Sequence, residues 1–189
     1  MLKLTLLKEK HDFDVLCLQE TWLRGTGEVD WKLPDFQAYE HRRPNSKRGG
    51  IAMLVRKSLT VVSENGNEYA QQVVLRLPDG KKAAISNVYV PPQNSLNKRK
   101  IPAQKVFTQV SEVLTATPAC DHVVTVGDFN ARTGTLAPHV GSLQLRRSAE
   151  DPFICPRAKW MIDLCELTEV HILNGAHPHT PAPYTCFTR

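Results

Sequence analysis

The chain has 189 residues, of which 41% are hydrophobic, and 24 basic against 19 acidic side chains leave a formal net charge of +5. That length suits one domain with a substantial core, and the apolar share excludes wholesale disorder. The basic excess fits a polyanionic partner such as nucleic acid, and no apolar run approaches the length needed to cross a bilayer, which points to no membrane partner and a nuclear or cytoplasmic location.

Residues 1–10 read as an amphipathic helix, its apolar stretch broken by Lys3. Val15, Leu16, Cys17 and Leu18 form an apolar run that reads as a short buried strand ending at Gln19. Residues 24–34 are polar and turn-rich. Gly49-Gly50 introduces a buried strand over 51–55, and a further strand follows over 59–63. Pro78-Asp79-Gly80-Lys81 is a tight-turn sequence, so 72–77 and 82–90 read as a hairpin that Pro91-Pro92 ends. Pro102 opens a helix that carries Val106, Val110, Val113 and Leu114 on one face and closes at Pro118. Val123, Val124, Thr125 and Val126 read as a second buried strand. Residues 133–156 show weak periodicity, and loops of that length inside a domain are often functional. A helix is expected over 158–167, a short strand over 170–173 and the start of another over 184–188. Strands mostly in hairpins, with a few helices interspersed, predict two packed sheets flanked by helices.

The five cysteines, Cys17, Cys120, Cys155, Cys165 and Cys186, are odd in number and lack a Cys-x-x-Cys spacing, which argues against a disulfide framework or a zinc site. His177 and His179 have no third ligand nearby.

Chemistry concentrates in two strings, Leu18-Gln19-Glu20-Thr21-Trp22 and Val126-Gly127-Asp128-Phe129-Asn130-Ala131-Arg132. Each sets a carboxylate just past an apolar run, where a polar group leaves the core yet stays rigidly held. Glu20 is the candidate metal ligand, because magnesium needs only one or two protein carboxylates beside water and substrate oxygens. Asp128 and Asn130 lie two apart and point the same way on an extended segment. The carboxylate can accept a proton from an attacking water, and the amide can donate to a phosphate oxygen. The same pair would alternatively make an Asx turn. Gly127 allows a sharp exit from the strand, and Phe129 would anchor the turn in the core. The Tyr89 hydroxyl either contacts phosphate or belongs to a half-buried strand residue. Gln19 and Arg132 are candidate substrate contacts. Three basic clusters, Arg42-Arg43 with Lys47-Arg48, Lys98-Arg99-Lys100 and Arg146-Arg147, would neutralise backbone phosphates if they face the site together.

Taken together, Leu18-Gln19-Glu20-Thr21, Gly49-Gly50-Ile51-Ala52, Tyr89-Val90-Pro91-Pro92 and Gly127-Asp128-Phe129-Asn130-Ala131-Arg132 resemble the endonuclease/exonuclease/phosphatase superfamily, in its order and across most of the chain. The texture around Gln19-Glu20-Thr21-Trp22 and from Trp160 to Gly175 looks most like the endonuclease domains of LINE-type retrotransposons. The resemblance implies an α/β (α+β) fold, a four-layer αββα sandwich formed by a single domain over residues 1–189. It implies magnesium, or manganese in its place, at Glu20, water activation by Asp128, and phosphate contacts from Asn130 and Tyr89. DNA is the implied substrate, nicked by phosphodiester hydrolysis, with a reverse transcriptase fused in a longer protein. Against the family pattern, the chain begins after the expected first strand with its Asn-x-x-Gly and stops before the expected Ser-x-x-Asp-His/aromatic segment. A core cut at both ends is the expectation, with impaired activity. An inactive remnant that keeps the fold and weak nucleic-acid binding, and a lipid or sugar phosphatase of the same fold, are the alternatives.

Overall fold

The structure is a computed structural model and describes residues 4, 8–9, 11–23, 29–43, 49–116, 119–142, 145–149 and 151–176. Among the described residues seven strands form two sheets. The first holds β1 (Val15–Gln19), β2 (Phe36–His41) and β3 (Ile51–Arg56) in the order β1-β3-β2, all antiparallel. The second holds β4 (Thr60–Gly66), β5 (Ala70–Arg76), β6 (Lys82–Tyr89) and β7 (His122–Asp128) in that order. The β4/β5 and β5/β6 pairs are antiparallel, whereas β6/β7 is parallel. A parallel neighbour needs a crossover, here through α1 (Gln93–Lys98) and α2 (Ala103–Thr115); α3 (Ala158–Leu167) follows β7.

Three apolar clusters give the layers. Met53 and Val55 of β3 meet Val73 and Leu75 of β5 between the sheets, joined by Val15, Cys17, Tyr39, Val61 and Ile85. On the outer face of the second sheet, Val106, Phe107, Val110, Val113 and Leu114 of α2 cover Tyr69, Ala70, Val88 and Val90, with Leu164 of α3 alongside. On the outer face of the first sheet, Leu33, Phe36 and Leu54 pack with Phe13, Leu16, Leu18, Trp31 and Leu4. These layers are the predicted sandwich of two sheets with flanking helices. β3 and β5 are central strands covered on both faces, which is why they are buried almost end to end.

The hairpin over β5 and β6 and both long helices fall where the sequence places them. Residues 1–10 lie mostly outside the described residues; Leu4, Lys8 and Glu9 within them are helical. Residues 184–188, the histidines at 177 and 179, and Lys47-Arg48 lie outside them entirely. Two expected buried strands are less buried than their apolar runs suggest. β1 is half-buried throughout, and Val123, Val124 and Val126 of β7 are 45%, 51% and 40% exposed. Both are edge strands, and among the described residues neither has a partner on its outer side. Residues 170–173 form no strand: the chain turns out of α3 through Glu169 at φ +54° and runs on irregularly. β2 and α1 were not anticipated, since β2 mixes Gln37, Glu40 and His41 with its apolar residues and α1 buries only Leu96.

Candidate functional site

Parallel pairing brings the C-terminal ends of β6 and β7 side by side, so Tyr89 sits opposite Asp128. The ladder extends one step further, where the Val90 N–H donates to the Asp128 carbonyl at 2.8 Å. Gly127 makes this approach possible. It adopts φ +144°, and a Cβ there would lie 2.0 Å from the Val88 carbonyl oxygen. Past Asp128 the chain reverses through Asn130 at φ +45°. The Asn130 backbone N–H donates to Asp128 Oδ1 at 2.9 Å, and its side-chain Nδ2 donates to Asp128 Oδ2 at 3.0 Å and to the Val90 carbonyl at 2.9 Å. Both amide hydrogens are therefore engaged. Asn130 aims the carboxylate, and a phosphate oxygen would have to compete with Asp128 for one of those hydrogens. Phe129 packs against the helical core, as expected of the turn's anchor.

Glu20 reaches the same end of the sandwich from the first sheet. It leaves β1 at φ +52°, and its carboxylate is held by three donors. The Tyr89 hydroxyl donates to Oε1, while the Trp22 indole N–H and the Gly49 backbone N–H donate to Oε2, the latter at 2.9 Å. Gly49 is in place because Thr21 and Trp22 continue the β1/β3 pairing onto the Gly50 and Gly49 carbonyls. Tyr89 thus links Glu20 of one sheet to the Asp128 end of the other. Burial, then the hydrogen bond and charge of Glu20, then Asp128 push its hydroxyl far above the usual tyrosine range, while Arg43 pulls the other way. Tyr89 is a fixed donor at any physiological pH.

A carboxylate offers about four lone-pair positions. Three are used at Glu20, which leaves one on Oε1. Among the described residues no three His, Cys, Asp or Glu side chains gather into a metal cage. This donor set fits a hard cation anchored through one carboxylate oxygen, with water and substrate supplying the rest.

The two candidate substrate contacts behave differently. Gln19 ties the two sheets together: its Nε2 donates to Asn87 Oδ1 at 2.5 Å. Asn87 is fully buried and also donates to the Leu18 and Ala52 carbonyls at 3.0 and 3.1 Å. The sequence reading missed this cross-sheet tie; the polar pair Ser86-Asn87 inside a buried strand was its signal. Arg132 pairs through Nε with Asp151 at 2.5 Å and lies 4.7 Å over the Phe153 ring, which is itself 52% exposed. Buried Arg157, also missed, donates to the Pro91 carbonyl at 2.8 Å and braces the turn after Tyr89. Of the basic clusters, Arg147 staples the long loop through Thr133 Oγ1 and the Leu136 and Asn174 carbonyls. Arg43 and Arg99 instead meet at Glu68.

Comparison with known proteins places this arrangement. The profile described as Endonuclease/Exonuclease/phosphatase family matches residues 4–187. No curated protein matches the sequence. Among solved structures, the fold is similar to the 3' phosphatase NExo from Neisseria bound to product DNA hairpin, with TM-score 0.60 and 14% identity over 87% of this chain and 65% of that one. It is similar to the Xenopus laevis APE2 catalytic domain, with TM-score 0.54 and 18% identity over 85% and 61% of the two chains. It is also similar to ANGEL2, a 2',3'-cyclic phosphatase, with TM-score 0.51 and 17% identity over 70% and 43%. The chain spans less than two thirds of each of these proteins, and at such identities the likeness is one of fold.

Proposed function

Because the chain belongs to the endonuclease/exonuclease/phosphatase family, we propose that it hydrolyses phosphodiester bonds in DNA, as a magnesium-dependent nicking endonuclease of the LINE-type branch formed by one domain. The observation that carries this reading is the convergence of Glu20 and Asp128, from separate sheets, on Tyr89.

Glu20 is the residue that would hold magnesium, or manganese, through its remaining lone pair. A bound divalent cation supplies charge neutralisation at the phosphate oxygens. The chain's own residues do the rest. Asp128 accepts the proton of the attacking water, a role that contributes roughly 10²–10⁴-fold. Asn130 fixes both Asp128 oxygens, so the base needs no reorientation when the water arrives. Tyr89 keeps its proton and donates it to Glu20, and a phosphate oxygen gaining charge would compete with that carboxylate for it. Arg157 holds the Pro91 turn that limits where Tyr89 can move.

Nicking of supercoiled plasmid in magnesium tests this, comparing the chain with Glu20→Ala and Asp128→Ala. Each variant should lose at least 10²-fold. Equal background in all three would reject nuclease activity and leave the inactive-remnant alternative. Release of inorganic phosphate from inositol phosphates, without DNA cleavage, would move the assignment to a phosphatase.

A further inference from the structure

Two basic clusters far apart in sequence meet on one carboxylate beside the site. Arg43 donates from Nε to Glu68 Oε2 at 2.8 Å, and Arg99 Nη2 lies 3.7 Å from the same oxygen. One acid, Glu68, faces two guanidinium groups. The Arg43 side chain is only 8% exposed, yet among the described residues its Nη2 has no hydrogen-bond partner. An unpaired buried donor costs about 1–3 kcal/mol, more when it is charged. Such groups are rare in native structures and call for a specific partner.

The position of this unpaired donor is informative. A Cβ placed on Gly49 would meet Arg43 Nη1 at 3.4 Å and its Cζ at 3.7 Å, so the guanidinium lies against Gly49. The Gly49 N–H is itself a donor to Glu20. Arg43 is therefore one residue removed from the candidate metal ligand and acts electrostatically on Tyr89. The segment carrying Glu68 is rigid: Asn67 Oδ1 accepts the Tyr69 and Ala70 N–H groups at 2.8 and 3.0 Å, and Asn67 Nδ2 donates to the Gln109 carbonyl of α2 at 2.8 Å. A purely structural ion pair would need neither the second arginine nor a buried hydrogen left without an acceptor.

We propose that Arg43 and Arg99, bracketing Glu68, bind a second phosphate of the nucleic-acid substrate, adjacent to the phosphate that is cleaved. The inference rests on the nucleic-acid reading above and extends it to a recognition subsite. Arg43 supplies a desolvated donor, and Arg99, at the C-terminal end of α1, supplies a more accessible one.

The test is binding of a labelled DNA duplex, read by fluorescence anisotropy without divalent metal, over roughly 50 to 200 mM salt. Each neutralised phosphate contributes about 0.9 to the slope of log affinity against log salt. Arg43→Gln and Arg99→Gln should each make that slope shallower, and the double variant should lose about 1 in all, with Arg43→Lys restoring most of the Arg43 share. Urea unfolding of the same samples checks folding. If Arg43→Gln is unfolded, Arg99→Gln, whose side chain is 32% exposed, carries the test alone. A slope unchanged in the folded variants overturns the subsite, as does absence of salt-dependent binding by the unaltered chain. Plasmid nicking separates the two proposals. Binding with the expected slopes but no nicking leaves the subsite standing and rejects the nuclease; nicking with unchanged slopes does the reverse.

Discussion

Gly127→Ala is the sharpest perturbation of this architecture. The new methyl would lie 2.0 Å from the Val88 carbonyl oxygen and 2.8 Å from the Val88 carbonyl carbon and nitrogen. All three are backbone atoms inside a parallel ladder, so no side chain can swing aside. Overpacking of this kind costs about 1–3 kcal/mol, and holding a Cβ residue at φ +144° adds about 1–3 kcal/mol. The sum, about 2–6 kcal/mol, is a large part of the ~5–15 kcal/mol typical of a folded chain. The strain falls where β6 and β7 place Tyr89 beside Asp128. Gly80→Ala is the control, because Gly80 sits at φ +84° with nothing within 4 Å of an added Cβ. It should cost only the conformational share, about 1–2 kcal/mol. Urea unfolding, read as the midpoint at constant slope, compares the two. For a chain of this size the midpoint temperature should fall by about 2–4 °C per kcal/mol. If Gly127→Ala were no more destabilising than Gly80→Ala, the close approach of β7 to β6 would be wrong, and with it the placement of Asp128.

Asn87→Leu should destabilise by about 3 kcal/mol, since it strips the Gln19 amide and the Leu18 and Ala52 carbonyls of their partner between the sheets; a midpoint shift below 1 kcal/mol would show that the sheets do not depend on it. Magnesium titration should change tryptophan emission through Trp22, whose indole shares a Glu20 oxygen. That signal should weaken in Trp22→Phe and disappear in Glu20→Gln, and its survival in Glu20→Gln would remove Glu20 as the ligand. Burial pushes the Cys17 thiol from 9.0 up to about 11. Its protonated form is favoured in the folded state, so its stabilising contribution is complete below pH 9 and is lost as the pH rises toward 11. Cys17→Val should flatten that alkaline fall in urea midpoint, and an unchanged fall would deny the burial.

The parts of this fold legible in the sequence were those fixed by local pattern. The Pro78-Asp79-Gly80-Lys81 turn sets the β5/β6 hairpin, and the spacing of Val106, Val110, Val113 and Leu114 sets the packed face of α2. The end of each strand that carries a candidate carboxylate was legible too, because Glu20 and Asp128 each lie one residue past an apolar run. What escaped was decided by neighbours. Val123, Val124 and Val126 look like core residues until the strand order makes β7 an edge. Gln19 looks like a substrate contact until Asn87, far along the chain, takes its amide. Asn130 has the composition of both a phosphate donor and an Asx turn, and its hydrogens favour the second by orienting Asp128. Arg43 and Arg99 look like solvated loop charges until Glu68 brings them together.

Backbone strain gives an independent handle on the site. Among the described residues six non-glycine residues adopt positive φ, and three of them are Glu20, Trp22 and Asn130. Such conformations cost about 1–3 kcal/mol each and persist where the surroundings over-determine them. Here the determinants are visible: Tyr89, Trp22 and Gly49 converge on the Glu20 carboxylate. Two substitutions that both delete the carboxylate separate strain from chemistry. Glu20→Ala keeps a Cβ at φ +52°, whereas Glu20→Gly relieves it. In ordinary extended or helical backbone glycine is less stable than alanine by about 0.5–1 kcal/mol; at this position the order should reverse, with glycine more stable by about 1 kcal/mol. Both should lose nicking equally. Alanine proving the more stable would mean that Glu20 is not held in the left-handed region, and that its carboxylate is free to swing rather than fixed for a cation.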